Sequence, residues 1–240
     1  MGMRSVILGM GTWGVMLASL VAMAGETGVS LRLDTQAAKV VLDYLQDRNV
    51  LPENLEAMPG IALLVRYNSH RDPSLTVRQF REDILACRNG NYTERPGTDF
   101  SRIMANLGPV SGFLEELEGG QAALIQRSVD IVSRNIPRVD FDLFCPIYIV
   151  LGGKSDFYVM QENGHSAMIL DLQKLMAGTR EQAWMTCRSA LDHELFHVVF
   201  LEYARRHWKI AKPPEVEDLD YQLLFTCSTK DTAITCRSRP

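Results

Sequence analysis

The sequence lacks several features that mark common classes of protein. Its 25 lysines and arginines are outnumbered by 29 aspartates and glutamates, no basic run occurs, and the net charge is −4. That balance argues against a surface that binds phosphate or nucleic acid. No Cys-x-x-Cys pair is present, which argues against a redox motif and against a four-cysteine zinc site. Internal repeats and low-complexity segments are also absent, which excludes a repeat array.

What the sequence does contain is the composition of a globular chain. Of its 240 residues, 46% are hydrophobic and 22% are charged, as in an ordinary folded domain. The five cysteines are an odd number, so at least one thiol is unpaired within the chain. Cys227 and Cys236 lie close enough in sequence to form a disulfide bond that would constrain the C-terminal tail. For Cys87, Cys145 and Cys187 there are two possibilities. Each either forms a disulfide bond or stays a free, buried thiol that packs as a small hydrophobe.

The first 24 residues predict export from the cytoplasm. Arg4 is their only charged residue, residues 6–21 are apolar, and Ala22-Met23-Ala24 has the small-residue pattern of a cleavage site. We therefore expect a signal peptide over residues 1–24 and a secreted or periplasmic protein. The alternative is an uncleaved membrane anchor, because the apolar run approaches the length that spans a bilayer. Contact with a membrane is expected only in that case.

The next part of the chain, residues 25–136, has a mainly helical pattern. The predicted helices cover residues 34–48, 74–87, 100–107, 111–118 and 121–135. Asp34 or Thr35 can cap the first, and Ser74 or Thr76 can begin the second. A short apolar piece at residues 60–67 separates the first two helices. None of these helices carries site chemistry, and His70 is expected in an exposed turn because its neighbours are polar.

After residue 136 the pattern changes to strands. Residues 145–151 form a continuous apolar run that ends at Gly152-Gly153, which predicts a buried strand. Two further runs, residues 157–161 and 166–170, flank an Asn-Gly pair and predict a hairpin. The edge of such a hairpin can pair with an extended peptide. His165, at the hairpin tip, is expected to be a solvated turn residue, with contact to substrate as the alternative.

A long helix follows the hairpin. Thr179, with Gln182 three residues later, forms a capping-box sequence at its start, and the pattern extends to about Trp208. A final helix is predicted over residues 215–225.

The long helix contains the pattern His-Glu-x-x-His, formed by His193, Glu194 and His197. Residues four apart lie on nearly the same face of a helix, so the two imidazoles can bind one metal ion. Zinc suits this geometry because it accepts neutral histidine nitrogens and tolerates an open fourth position. Glu194 points about 100° around the helix, towards a water at that position rather than towards the metal, and can act as a base.

The alternative is an amphipathic helix in which the two histidines are ordinary polar residues. The surrounding residues 183–203 are largely apolar, and Val198 and Val199 follow the motif directly. Burial of an ionisable cluster in such a helix costs free energy unless a partner such as a metal compensates. Asp192, which precedes the motif, is expected on the surface rather than in support of the site.

The motif as it stands, Leu-Asp-His-Glu-Leu-Phe-His-Val-Val, resembles the active-site helix of the zincin metallopeptidases. The strand and hairpin before it resemble the zincin order, in which an edge strand binds the peptide backbone. Over roughly residues 140–225 the chain most resembles gluzincin-like bacterial proteins that are predicted zinc-dependent proteases. The resemblance implies an α+β zincin-like fold with a small antiparallel or mixed sheet. It also implies a catalytic part at residues 137–240, joined in one compact domain with the helical part at residues 25–136.

The resemblance further implies the activity. The cofactor would be Zn²⁺ and the substrate a peptide or protein, cleaved by water that the metal activates and from which Glu194 takes a proton.

A catalytic zinc normally takes three protein ligands, and the motif supplies only two of them. His207 lies about 15 Å past His197 on a continuous helix, which is too far, and Glu202 points away from the ligand face. The position of the third histidine in longer zincin motifs holds Tyr203. The resemblance to gluzincins implies a glutamate from the next helix. The candidates are Glu217 first, with Glu215 and Asp218 as alternatives.

One departure from the family pattern concerns Tyr221. The family's glutamate is usually followed four residues later by Asp, whereas Tyr221 stands there after Glu217. Tyr221 is a candidate donor to the developing oxyanion, with a core or rim position as its alternative.

A second hypothesis for the function is that the site is truncated or degenerate and the chain is a non-enzymatic exported binding domain. Hydrolysis of other amides or esters is a third.

Overall fold

The structure, a computed structural model, describes residues 22–23, 28–136, 141–162 and 165–207. Within these ranges one mixed sheet is covered by helices. The strands are β1 Ala22–Met23, β2 Val29–Asp34, β3 Leu143–Val150, β4 Phe157–Glu162 and β5 His165–Asp171. The helices are α1 Gln36–Leu45, α2 Pro59–Asn68, α3 Val77–Arg88, α4 Ile103–Asn135, α5 Leu172–Leu175 and α6 Arg180–His207, with a 3₁₀ turn at Leu55–Ala57.

The sheet has the strand order β1-β2-β3-β5-β4. Its centre is parallel, since Leu31 of β2 lies beside Cys145 of β3, and Ile147 of β3 lies beside Met168 of β5. The outer strands β1 and β4 are antiparallel to their neighbours. The prediction of an α+β chain with a mixed sheet is therefore confirmed, while β2 was not predicted. Through β2 the helical part of the chain contributes a strand to the same sheet as the hairpin.

Helices cover both faces of this sheet. On one face the ring of Tyr158 stacks on Tyr67 of α2, with 3.8 Å between centroids, and α1 and α2 pack against β3. Side chains alternate along a strand, so Ile147 and Met168 point to the opposite face, where they are 0% and 1% exposed. The helix α4 packs against β1 and β2, and α6 packs against β4. The motif helix is thus one layer of the core.

The helix α4 corrects one prediction. Three helices were expected over residues 100–135, but the chain forms a single helix of 33 residues that includes Pro109. Pro109 removes one backbone hydrogen bond near the helix start, which is a local cost. Val110, Phe113 and Leu117 are 1%, 0% and 0% exposed and lie on one helical stripe. Their burial stabilises the continuous helix more than the proline and the later glycines weaken it.

The N-terminal predictions fall mostly outside the described residues. Of the expected signal peptide over residues 1–24, only Ala22 and Met23 lie within them, where they pair with Leu31 and Ser30 as β1. Among the helices of the described ranges, none combines the length and the hydropathy that a membrane span requires.

Candidate functional site

The motif lies inside a well-defined helix. The backbone N–H of Gln182 donates to Thr179 Oγ1 at 3.2 Å, and the Gln182 side chain accepts from the Thr179 N–H at 2.8 Å. This is the predicted capping box, and it begins α6 at Arg180. The helix extends to His207, close to the predicted end. His193 and His197 therefore sit in continuous helix, well away from either terminus.

The two histidine rings converge. Nε2 of His197 lies 2.7 Å from Nε2 of His193, and the rings meet edge to face, with 4.2 Å between centroids and an interplanar angle of 84°. The two rings differ in burial, because His197 is only 8% exposed whereas His193 is exposed. His197 therefore lies in the core and His193 at the surface, so solvent can reach the pair from the side of His193.

Burial governs the protonation of the site. Burial, with a smaller effect of the neighbouring His193, lowers the pKa of His197 to about 4. The pKa of His193 is also lowered by burial. Both rings are therefore neutral at pH 7, which is the state that binds a metal without releasing protons. The pKa of the partly buried Glu194 carboxyl is raised to about 7, again by burial.

The packing around the pair explains these shifts. Phe196 and Phe200 lie on the same side of α6 as the histidines, and their rings stack at 5.8 Å between centroids. Leu191, Leu195 and Val199, on the opposite side of the helix, are 1%, 0% and 0% exposed. Apolar groups on most sides lower the local dielectric, which disfavours every charged form that has no partner.

The geometry of the pair can be compared with the requirements of zinc. Two nitrogens bound at about 2.0–2.1 Å to a tetrahedral zinc lie about 3.3 Å apart. The observed 2.7 Å would have to widen by about 0.6 Å, which small side-chain rotations provide. Imidazole nitrogens are donors that zinc accepts, so His193 and His197 could serve as two ligands of such an ion.

The described residues do not place a third ligand beside the two histidines. Among residues 28–136, 141–162 and 165–207, no group of three His, Cys, Asp or Glu side chains that could hold a metal ion occurs. Within α6, the Glu202 carboxylate accepts a hydrogen bond from Arg206 Nε at 2.5 Å. All four residues expected to complete the site lie outside the described residues. They are Glu217, Glu215, Asp218 and Tyr221.

One neighbour of the motif differs from its predicted role. Asp192, which was expected on the surface, is held between two helices. It accepts hydrogen bonds from Arg127 Nη1 at 3.0 and 2.7 Å and from Ser128 Oγ at 2.6 Å. Both donors belong to α4, 64 and 65 residues away in sequence. The only sequence signal for this contact was an acidic residue inside an apolar helical segment.

Other predictions for single residues are confirmed, with one exception. His70 lies in an exposed turn. His165 is exposed as well, but it is the first residue of β5 and pairs with Glu162 of β4, so it is a strand residue rather than a turn residue. Cys87, Cys145 and Cys187 are free and buried, and burial raises the pKa of each thiol to between about 11 and about 12. They act as small apolar residues, as one of the two alternatives proposed.

The chain was compared with models of known families, with curated proteins and with solved structures, and none of the three comparisons found a match. The likeness to zincins therefore rests on the motif residues themselves and on the order of the elements around them.

Proposed function

We propose that this chain is an exported zinc-dependent metallopeptidase with a zincin-like arrangement. His193 and His197 would hold the ion, and Glu194 would act as general base. The third ligand would come from Glu217, with Glu215 and Asp218 as alternatives. The observation that carries the proposal is the 2.7 Å approach of the two histidine Nε2 atoms, one of which belongs to the buried His197.

The proposed chemistry follows from the state of these side chains. Zinc, when bound, lowers the pKa of a water to about 7 and polarises a carbonyl oxygen. Glu194 takes a proton from water and delivers it to the leaving amine. Burial raises the pKa of this carboxyl in the metal-free chain, and a general base works best when its pKa is close to the working pH. Tyr221 would donate a hydrogen bond to the oxyanion that develops.

A peptide is the substrate that the neighbouring sheet favours. β4 is the last strand of the sheet and pairs on one side with β5, and it packs against α6. An edge strand offers backbone N–H and C=O groups to an extended chain. A peptide added there would run beside the helix that carries the histidines.

The test combines metal analysis with hydrolysis of a mixed peptide substrate by the full chain. Wild type should bind one zinc per chain and cleave peptides. Glu194→Gln should keep the zinc and lose turnover by at least about a hundredfold, and His193→Ala should lose the zinc. His70→Ala removes an exposed turn histidine and serves as the matched control, with both properties unchanged.

Two outcomes would count against the proposal. Full turnover in Glu194→Gln would remove the base. A folded wild-type chain without zinc, even when zinc is supplied, would favour the alternative of a non-enzymatic exported binding domain. Zinc binding with cleavage of esters or other amides, but not of peptides, would change the substrate class and keep the site.

A further inference from the structure

We propose that the outer edge of β4 binds an extended peptide with acidic side chains, which Arg66 and Arg71 of α2 select. This inference rests on the proposed function for the fate of the bound peptide, and it deepens that function by naming the class of peptide. The binding step itself involves no metal, so it can be measured apart from the chemistry.

The outer edge of β4 has a regular set of backbone groups. Within residues 22–23, 28–136, 141–162 and 165–207, β4 pairs with β5 alone. The Gln161 carbonyl is on the outer side, where it accepts a hydrogen bond from Arg66 Nη2 at 2.6 Å. Backbone groups alternate between the two sides of a strand, so Val159 and Phe157 present their N–H and C=O groups at the same edge. These groups can pair with an extended peptide.

Arg66 places a positive charge at one end of this edge. One of its five N–H donors is used in the bond to Gln161. The side chain is exposed, and no carboxylate within the described ranges forms an ion pair with it. The other donors of the guanidinium can therefore bind a carboxylate of an incoming peptide, in the bidentate manner that arginine favours.

Arg71 places a second positive charge further along β4. Its guanidinium carbon lies 5.8 Å from the centroid of the Tyr67 ring, which stacks on Tyr158 of β4. Burial raises the pKa of the Tyr158 hydroxyl, and the positive charge of Arg71 opposes that shift, so the guanidinium lies near the strand. Arg71 is exposed, and none of the described carboxylates pairs with it.

The spacing of the two charges suits an extended chain. Arg66 and Arg71 are five residues apart, which is about 7.5 Å along α2. Side chains on one face of an extended peptide repeat every second residue, at about 7 Å. Two acidic residues with one residue between them can therefore approach both arginines while the peptide backbone pairs with Val159 and Phe157.

The same charges disfavour another common partner of an exposed strand, a second copy of the chain. Pairing of two β4 edges would bring the arginines of both copies to one interface, and such charges are a usual protection against edge-to-edge association. A basic peptide would meet the same repulsion, whereas an acidic peptide gains attraction. Charge complementarity thus selects the acidic peptide.

The test measures the binding of short labelled peptides to the metal-free full chain by fluorescence anisotropy. Three peptides share one alternating sequence of Val and Thr and differ at two alternate positions, which hold Glu, Gln or Lys. Wild type should bind the Glu peptide about fivefold more tightly than the Gln peptide, and the Lys peptide most weakly. High salt should remove most of this preference, because both arginines are exposed.

Two single variants and their combination test the arginines. Arg66→Gln and Arg71→Gln should each reduce the preference for the Glu peptide to about twofold, and the double variant should abolish it. The matched control is Arg134→Gln, which removes an exposed positive charge from α4. That helix packs against β1 and β2 at the other end of the sheet, so the control should keep the wild-type preference.

Val159→Pro tests the backbone contact. Proline has no N–H, and the N–H of Val159 faces away from β5, so the pairing with β5 is kept. This variant should bind every peptide at least about fivefold more weakly than wild type. Val159→Thr keeps the N–H and the branched side chain, and it should bind within about twofold of wild type. If Val159→Pro fails to fold, the arginine variants still decide the question.

Several outcomes would overturn the inference. They are equal affinity for the Glu, Gln and Lys peptides, a preference that survives in the double arginine variant, and a preference that Arg134→Gln also loses. Unchanged binding by a folded Val159→Pro would place the peptide away from β4. A dimer of the wild-type chain that Val159→Pro dissociates would assign the edge to a second copy instead.

The proposed function can fail or stand independently. If the chain binds the Glu peptide selectively but cleaves no peptide when zinc is supplied, the acidic selection stands and the peptidase proposal is wrong. If the chain cleaves peptides in a zinc-dependent way without preference for acidic ones, the peptidase proposal stands and the acidic selection is wrong.

Discussion

In the metal-free protein, Glu194 and His197 should change stability in opposite directions as the pH falls, and Glu194→Gln should separate them. The pKa of His197 is lowered from 6.5 to about 4, so acid protonates the unfolded chain before the folded one. Its contribution is therefore present above pH 6.5 and lost as the pH falls towards 4. The difference corresponds to about 3 kcal/mol.

Glu194 acts with the opposite sign. Its pKa is raised from 4.5 to about 7, so the folded protein holds a proton that the unfolded chain has released. Its contribution is fully present below pH 4.5 and is lost as the pH rises through 7. The full difference is about 3 kcal/mol, which solvent screening of this partly buried side chain reduces to about 2 kcal/mol.

The two contributions nearly cancel in wild type between pH 7 and pH 4.5. In Glu194→Gln only the histidine contribution remains. The difference between the free energies of unfolding of wild type and variant should therefore change with pH. We expect the free energy of unfolding of wild type, relative to that of the variant, to rise by about 2 kcal/mol from pH 7.5 to pH 4.5. Other titrating groups are common to both proteins and drop out of the difference.

Urea unfolding curves in the presence of a chelator, at several pH values, measure this gap directly. The slopes of the curves should be equal for the two proteins, since the surface exposed on unfolding is the same. A gap that stays constant across the pH range would refute the reasoning, because Glu194 would then titrate alike in the folded and unfolded chains. If the free energy of unfolding of wild type fell in acid relative to that of the variant, the pKa of Glu194 would be lowered on folding rather than raised.

Two further predictions concern the elements that hold the site. Gly152 has a φ of +95°, and an added Cβ would overlap the buried Phe100 ring, so Gly152→Ala should cost about 3 kcal/mol in urea unfolding. Gly90→Ala, with a φ of +73° and open space around it, should cost only about 1 kcal/mol as the control. Thr179→Ala removes the hydroxyl that accepts from the Gln182 N–H. It should lower the free energy of unfolding by about 1 kcal/mol and leave zinc binding unchanged. An unchanged unfolding midpoint would show that this cap does not stabilise α6.

The elements that were predicted from the sequence are those with local chemical signals. Thr76 Oγ1 accepts from the N–H of Gln79 and begins α3, and the capping box of Thr179 begins α6 in the same way. The hairpin of β4 and β5 was predicted from an Asn-Gly pair between two alternating runs. In each case the residues that make the contact lie within a few positions of each other.

The elements that were not predicted depend on distant contacts. β2 is a strand because Leu31 pairs beside Cys145, and no local pattern reveals a parallel partner so far along the chain. The glycines and Pro109 of α4 suggested breaks, since propensity alone disfavours a helix there. Buried contacts on the other side of the helix, as at Phe113, outweigh that propensity.

The same division holds for the candidate site. His193, Glu194 and His197 lie within one turn and a half of a single helix, so their spacing could be read from the sequence. The partners of Asp192 come from α4, 64 and 65 residues before it, and only the folded chain brings them together. Contacts within one helix can be predicted from the spacing of its residues, while contacts between distant segments require the tertiary structure.

The contact between the two histidines links the metal-free and metal-bound states. An Nε2 to Nε2 separation of 2.7 Å requires one neutral ring to carry its proton on Nε2 and the other to accept it. Binding of an ion needs both Nε2 lone pairs, so the first ring must move its proton to Nδ1. Because both rings are already neutral at pH 7, this step relocates a proton within one imidazole and releases none. Binding of a dication would therefore add two positive charges with no proton released, so the proposed site needs a carboxylate among its other ligands to offset them.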